Sequence, residues 1–134
     1  MPGNLQFTKG PNMKFNHNDV MGCAYDSKRN RIVVVGGTFD SNRTEILDLS
    51  KDPLEWETGP VFPHLIRDHK LLYNQVLDKV VLIGGQGYYP NDIFYDHVWT
   101  LEEDQGWVKR PDLKLKTRRS QFVAFNVPKS FASC

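Results

Sequence analysis

Four groups of residues in this sequence have types and spacings that could do chemistry. His64 and His69 bracket Asp68 in FPHLIRDHK, imidazoles and a carboxylate of the kind that hold metals. They would offer ligands together only where a strand turned both rings inward. Gly84-Gly85-Gln86-Gly87 is glycine-rich like a phosphate-cradling loop, but neither a lysine nor a helical pattern follows it. Cys23 and Tyr25 stand two residues apart, on one face of any strand that contains them. Lys109 to Arg119 (KRPDLKLKTRR) carries six basic residues and one Asp, enough to contact phosphates with salt-sensitive affinity. The acidic run Glu102-Glu103-Asp104 precedes it, and it has no interleaved aromatics, which disfavours nucleic acid as a partner. No GxSxG, GxxxxGK[ST], HExxH or GxGxxG occurs. Cys23 and Cys134 lie 111 residues apart without a CxxC, so neither a disulfide framework nor a structural zinc site is signalled. The expectation is no catalytic residue, no metal and no cofactor, with FPHLIRDHK and KRPDLKLKTRR as solvated connections.

The elements that position these residues come from composition and repetition. The chain has 134 residues, net charge +1, 40% hydrophobic and 12% aromatic residues, which is enough to fill a core and excludes charge-driven disorder. The longest aliphatic runs, Ile32 to Val35 and Val80 to Ile83, are four residues each, far short of the roughly 20 that span a bilayer. The opening MPGNLQFTKG has no basic stretch followed by an apolar one, so the default compartment is the cytosol, with no membrane partner.

The chain repeats itself. Ala24 to Gly37 (AYDSKRNRIVVVGG) lies over Leu72 to Gly85 (LYNQVLDKVVLIGG) without a gap at an offset of 48, with Tyr, Val and both Gly identical. A second motif returns at nearly the same period: Phe7 to Pro11, Trp56 to Pro60, then Trp107 to Pro111, the aromatics 49 and 51 apart. Within a period the signals are those of four short strands, A to D in order. Strand A is Val20 to Tyr25 or Leu71 to Tyr73. Strand B is RIVVV or KVVLI, β-branched and continuous enough to be buried on both faces. Strand C is Thr44 to Leu49 or His97 to Leu101, and strand D opens with Trp56 or Trp107. No window carries apolar residues at helical spacing between caps, so the fold class is all-β.

Four strands per period, with Gly36-Gly37 and Gly84-Gly85 ending the second strand and Trp56 and Trp107 opening the fourth, resemble the kelch repeat, one four-stranded antiparallel blade of a β-propeller. The resemblance implies glycines at positive φ and a tryptophan between adjacent blades. It divides the chain into the last strand of a preceding blade over 5–17 (strand at Leu5 to Pro11), blades over 18–63 and 64–117, and the first strand of a further blade over 118–134 (strand near Ser120 to Val127). That is an incomplete ring of about two and a half repeats. The sequence departs from the family at the third-strand tyrosine, seven residues before the Trp, which is Leu49 in one blade and Thr100 in the other. Galactose oxidase shares the kelch fold and has a Tyr-Cys crosslink at copper, so a fragment of such an enzyme is the alternative. The aligned column of Leu71 and Tyr73 makes Cys23 a core cysteine instead.

In kelch propellers the B–C and D–A loops gather on one face that binds a partner protein. Here these are Thr38 to Arg43, Gln86 to Asp96, Pro63 to Arg67 and Pro111 to Arg119. The second, counted between Gly pair and Trp, is about three residues longer than its counterpart and rich in Tyr. Tyr and Arg are the residues most often found as binding hot spots. The candidate partner-binding residues are therefore Arg43, Arg67, Tyr88, Tyr89, Asn91, Arg118 and Arg119, with Tyr88 and Tyr89 expected exposed. Arg67 and Arg119 stand at matching positions, each six residues before Tyr73 or Phe125. The expected function is a non-catalytic, substrate-adaptor-like module that binds a protein or peptide.

Overall fold

The computed structural model describes residues 3, 6–38, 42–88 and 92–128. Eight strands form two four-stranded antiparallel sheets, each a meander in chain order. Sheet 1 contains β1 (Gly22–Asp26), β2 (Arg31–Val35), β3 (Thr44–Asp48) and β4 (Trp56–Thr58); sheet 2 contains β5 (Lys70–Asn74), β6 (Lys79–Ile83), β7 (Val98–Glu102) and β8 (Gly106–Lys109). The RIVVV and KVVLI runs are the second strands, as their composition predicts. Val33, Val34 and Val35 are buried, as are Val80, Val81 and Leu82; Val33, Val35, Val80 and Leu82 pack between the sheets, and Val34 packs with Leu47 and Trp56 on the other face of sheet 1. The described residues contain one turn of 3₁₀ helix, Pro111–Leu113, and no helix long and apolar enough to cross a membrane.

The sheets pack face to face, with β1 nearest β5. Sheet 1 contributes Ala24, Val33 and Val35; sheet 2 contributes Leu71, Val80, Leu82, Trp99, Leu101 and Trp107; Phe62 and Ile66 of the connection complete the core. Phe62 meets Trp99 and Trp107 edge-on at centroid distances of 5.1 and 5.6 Å, a favoured aromatic geometry. The Trp107 indole N–H donates across to the Thr44 hydroxyl at 3.0 Å, so the tryptophan joins the sheets through its polar edge as well as its area. Trp56 lies on the outward face of sheet 1 with Val34 and Leu47, and its indole N–H donates to the Pro11 carbonyl.

The terminal segments differ from expectation. Gln6 to Pro11 forms no strand, because no third strand of a preceding sheet lies beside it among the described residues. Residues 11–17 instead lie against sheet 1 and are held by Glu45. That fully buried carboxylate accepts the backbone N–H groups of Lys14 (2.7 Å) and Phe15 (3.0 Å) and the His17 ring at 3.0 Å. The other His17 nitrogen donates to the Gly36 carbonyl. The predicted strand over Ser120 to Val127 is also absent, for the same want of a neighbour, yet its start keeps the repeat. Val20, Asp68 and Gln121 all have positive φ, and the Asp68 N–H donates to the Val20 carbonyl as the Gln121 N–H does to that of Asp68. Both members of each Gly pair have positive φ (76° and 118° at Gly36 and Gly37, 61° and 99° at Gly84 and Gly85), as the repeat implies.

Candidate functional site: the loop end of the two sheets

The B–C and D–A connections are bonded to one another at one end of the molecule. Gly37 N–H donates to Ile66 O, and Gly85 N–H donates to Arg119 O. Arg67 and Gln86 exchange both backbone hydrogen bonds, Gln86 also bridges to Phe94, and Phe62 N–H reaches Asn42 O. Each Gly pair turns the chain out of the sheet so that its second N–H meets the following connection. A side chain at Gly36 would put its Cβ 2.5 Å from the Ile66 carbonyl oxygen, which is why glycine is required there.

This geometry corrects two alignments made by counting. The bond of Gly85 to Arg119 repeats that of Gly37 to Ile66, so Arg119 corresponds to Ile66 and not to Arg67. Between the paired residues Val35 and Thr44 lie eight residues, against 14 between Ile83 and Val98, so the second B–C loop is six residues longer. A turn three residues shorter between β7 and β8 masks half of that when the distance is counted from Gly to Trp. Register likewise pairs Thr100 with Ile46 as equivalents, not with Leu49.

The predicted partner-binding residues divide into two groups. Arg67 is engaged from three sides: it lies 4.9 Å from the Tyr88 ring centroid, 3.5 Å from Asp92 and 4.0 Å from Asp68. Tyr88, expected exposed, is partly buried, and its hydroxyl donates to the Gly37 carbonyl at 2.6 Å. Arg67, Tyr88 and Asp92 therefore brace the long loop against the first Gly pair. Arg43 lies 5.0 Å over the Phe15 ring and ties in the segment 11–17. Arg118 and Arg119 are exposed; the Asp96 carboxyl is held down by its bond from Lys114 and, more weakly, by the charge of Arg118, while the Arg119 guanidinium has no ion pair among the described residues. Tyr89 and Asn91 lie outside the described residues. Sequence reasoning missed Asp92, which neutralises Arg67, and Gln86, whose backbone zips the two connections together; the offset of 48 from Thr38 to Gln86 was a usable signal for the second.

FPHLIRDHK is not the solvated connection its charges suggest. Phe62, Ile66, Asp68 and His69 are buried, while His64 is exposed. The His69 ring fills a cradle left by three glycines, close to the Cα atoms of Gly22, Gly36 and Gly85, and neither ring nitrogen reaches a partner in hydrogen-bonding geometry. Burial holds its pKa down at about 3 against an opposing pull from the nearby Val35 backbone, with Lys70 and His97 adding repulsion. His97, stacked on Tyr95 at 4.3 Å and donating to the Gly84 carbonyl, is held at about 4 by burial. Both rings are neutral, and among the described residues no three His, Cys, Asp or Glu side chains gather as metal ligands would. Cys23, expected in the core, is exposed: β1 turns it outward with Tyr25, whereas Ala24 faces sheet 2. Burial raises its thiol pKa nonetheless, so it is not an activated nucleophile. KRPDLKLKTRR is largely exposed, as expected, with Arg110 paired to Asp112 and Lys114 to Asp96.

The opposite end of the molecule carries charge of a different kind. Asp26, fully buried, pairs with Arg29 and Arg31, which also reach Glu103 of sheet 2, and Arg29 continues to Asp78. Hydrogen bonds from Lys28, Tyr73 and Arg29 hold the Asp78 carboxyl well below the usual carboxylate range. This network is satisfied internally and joins the two sheets. No protein-family model matches the chain, and no curated protein matches it.

Proposed function

We propose that the chain is a pair of kelch-type β-propeller blades, over 18–63 and 64–117, that serves as a non-catalytic protein-interaction module. The loop end is its binding face, and a peptide or protein segment with acidic residues is its partner. The observation that carries this reading is the pairing pattern of the arginines. Arg67 is neutralised by Asp92 and braces the loops, whereas Arg118 and Arg119 stand exposed on the same knitted surface, where the nearby Asp96 that Arg118 acts on is already ion-paired to Lys114. An anchored loop bearing exposed guanidinium groups binds carboxylates with little ordering cost. The two depressed histidines at this end are neutral and buried, so they supply packing and not acid–base chemistry.

The test is fluorescence anisotropy with a labelled nonapeptide rich in Glu and Asp, and with a single-stranded oligonucleotide of the same charge. Wild type is expected to bind the peptide, and the double variant Arg118→Glu/Arg119→Glu to bind it at least tenfold more weakly with an unchanged unfolding midpoint. Peptide binding indifferent to the charge reversal, or tighter binding of the oligonucleotide, would overturn the proposal.

A further inference from the structure

The start of the third repeat, Phe122 to Val127, has no partner for its backbone among the described residues, and the molecule itself contains a strand type that fits beside it. Residues 119–126 lie on sheet 2 as 66–73 lie on sheet 1. The Arg119 carbonyl accepts from Gly85 as the Ile66 carbonyl does from Gly37, and Gln121 donates to Asp68 as Asp68 does to Val20. Phe122 packs under Gly84 as His69 packs under Gly36, and the Asn126 side chain adds a bond to the Tyr73 carbonyl at 2.7 Å. The equivalence then stops. The stretch matching 122–128 in sheet 2 is β5, whose backbone pairs with β6 from Lys70 to Asn74. Between Phe122 and Pro128 no backbone N–H or C=O has a hydrogen-bond partner among the described residues. Val123, Phe125 and Val127, alternating as strand residues do, are 82%, 74% and 52% exposed. Beside this edge the outward face of sheet 2 holds a groove of about 280 Å³ lined by Leu72, Val81, Ile83, Val98, Leu113 and Phe125.

We infer that residues 122–127 are a strand-addition site whose occupant is an aliphatic β-strand from another polypeptide segment, of the kind seen in β2 and β6. Such a strand pairs antiparallel with the edge and inserts alternate Val, Ile or Leu side chains into the groove, as β6 inserts Val80 and Leu82 against sheet 1. The occupant is defined by continuity: the ladder joining Val20, Asp68 and Gln121 already extends the packing of sheet 1 on sheet 2 to a third unit, and the next place in that unit is a second strand. A long exposed apolar edge without charge or bulge is one that proteins otherwise protect. This inference does not depend on the arginines of the loop end.

The test uses the full chain and a labelled peptide of residues 27–37 (SKRNRIVVVGG), which carries β2 and enough charge to stay soluble. Saturable binding is expected, with slowed hydrogen exchange at alternate amides from Phe122 to Val127. Val123→Pro and Ala124→Pro are compared separately, because in an edge strand one of two neighbouring N–H groups faces the incoming strand and the other faces away. The variant that removes the inward donor should bind at least tenfold more weakly and the other less than threefold. Phe125→Lys, on the exposed side, replaces either proline variant that loses its native circular dichroism, and should bind at least tenfold more weakly. No binding, equal binding of a scrambled peptide, or binding without protection at 122–127 would overturn the inference. Self-association through 122–127, seen by sedimentation and lost in Phe125→Lys, would also overturn it and assign the edge to a second copy.

Discussion

Acid should destabilise this protein well above the range in which its carboxylates titrate, and His69 should be a main cause. The ring is 1% exposed, its nitrogens make no well-aligned hydrogen bond although the Val35 backbone lies near, and its folded pKa is about 3. In the unfolded chain it titrates at about 6.5. Because the folded value is the lower one, the unfolded state takes up the proton first, and stability falls as pH drops below about 6.5 and continues to fall toward 3. At about 1.4 kcal/mol per pH unit, the loss from this one residue between pH 7.5 and 5.0 is about 2 kcal/mol. His97, at about 4, has the same sign and adds a similar loss, for about 4 kcal/mol together against a typical domain stability of about 5–15 kcal/mol. The assay is urea unfolding followed by tryptophan fluorescence at half-unit steps from pH 7.5 to 5.0, on wild type, His69→Phe and His69→Leu. Phenylalanine is the residue at the equivalent position of the third repeat, Phe122, and leucine guards against overpacking in the glycine cradle. At pH 7.5 the variants gain the relief of an unpaired buried group, about 1–3 kcal/mol, and risk a packing cost of the same size. Absolute stability is therefore not diagnostic, whereas the slope is: both variants should lose about 2 kcal/mol less than wild type between pH 7.5 and 5.0. A wild-type slope retained in both would refute the burial argument.

Two further substitutions probe how the sheets hold their flanking segments. Glu45→Ala leaves two backbone donors and the His17 ring without their acceptor, a loss of about 3–5 kcal/mol for a broken buried pair. Proteolytic cleavage within 11–17 and a red-shifted Trp56 emission should report it, and an unchanged cleavage pattern would show that the carboxylate does not hold the segment. Gly37→Ala, at φ 118° with the His17 carbonyl where the Cβ must go, should cost about 3 kcal/mol or more by chemical denaturation, while alanine at the open Gly10 should be nearly neutral.

Much of the architecture was legible from local signals. RIVVV and KVVLI are each stiff, β-branched and bounded by turn residues and a Gly pair, so strand identity, order and period follow from them without tertiary information. The positive φ of the Gly pairs was likewise legible, because glycine is the residue that adopts it without strain. Which side of a strand is buried was not. Cys23 and Leu71 occupy one column of the repeat, yet one is exposed and the other buried, because only β5 has a sheet on that side. His69 and Arg67 read as solvent-facing charge, and both are engaged in the interior of the loop end because three glycines and the 14-residue loop close over them. Counting residues between Gly and Trp merged two connections whose lengths changed in opposite directions, and only strand register separates them.

By itself the sequence determined an all-β chain of two repeated four-stranded meanders, since strand propensity, turn glycines and period are properties of neighbours along the chain. Tertiary structure decided which faces are covered, which arginines are already neutralised, and that Phe122 to Pro128 makes no backbone hydrogen bond among the described residues. Those depend on what lies across space from each residue, and a repeat that fixes a residue's place within its own sheet leaves the identity of the neighbouring layer to the folded chain.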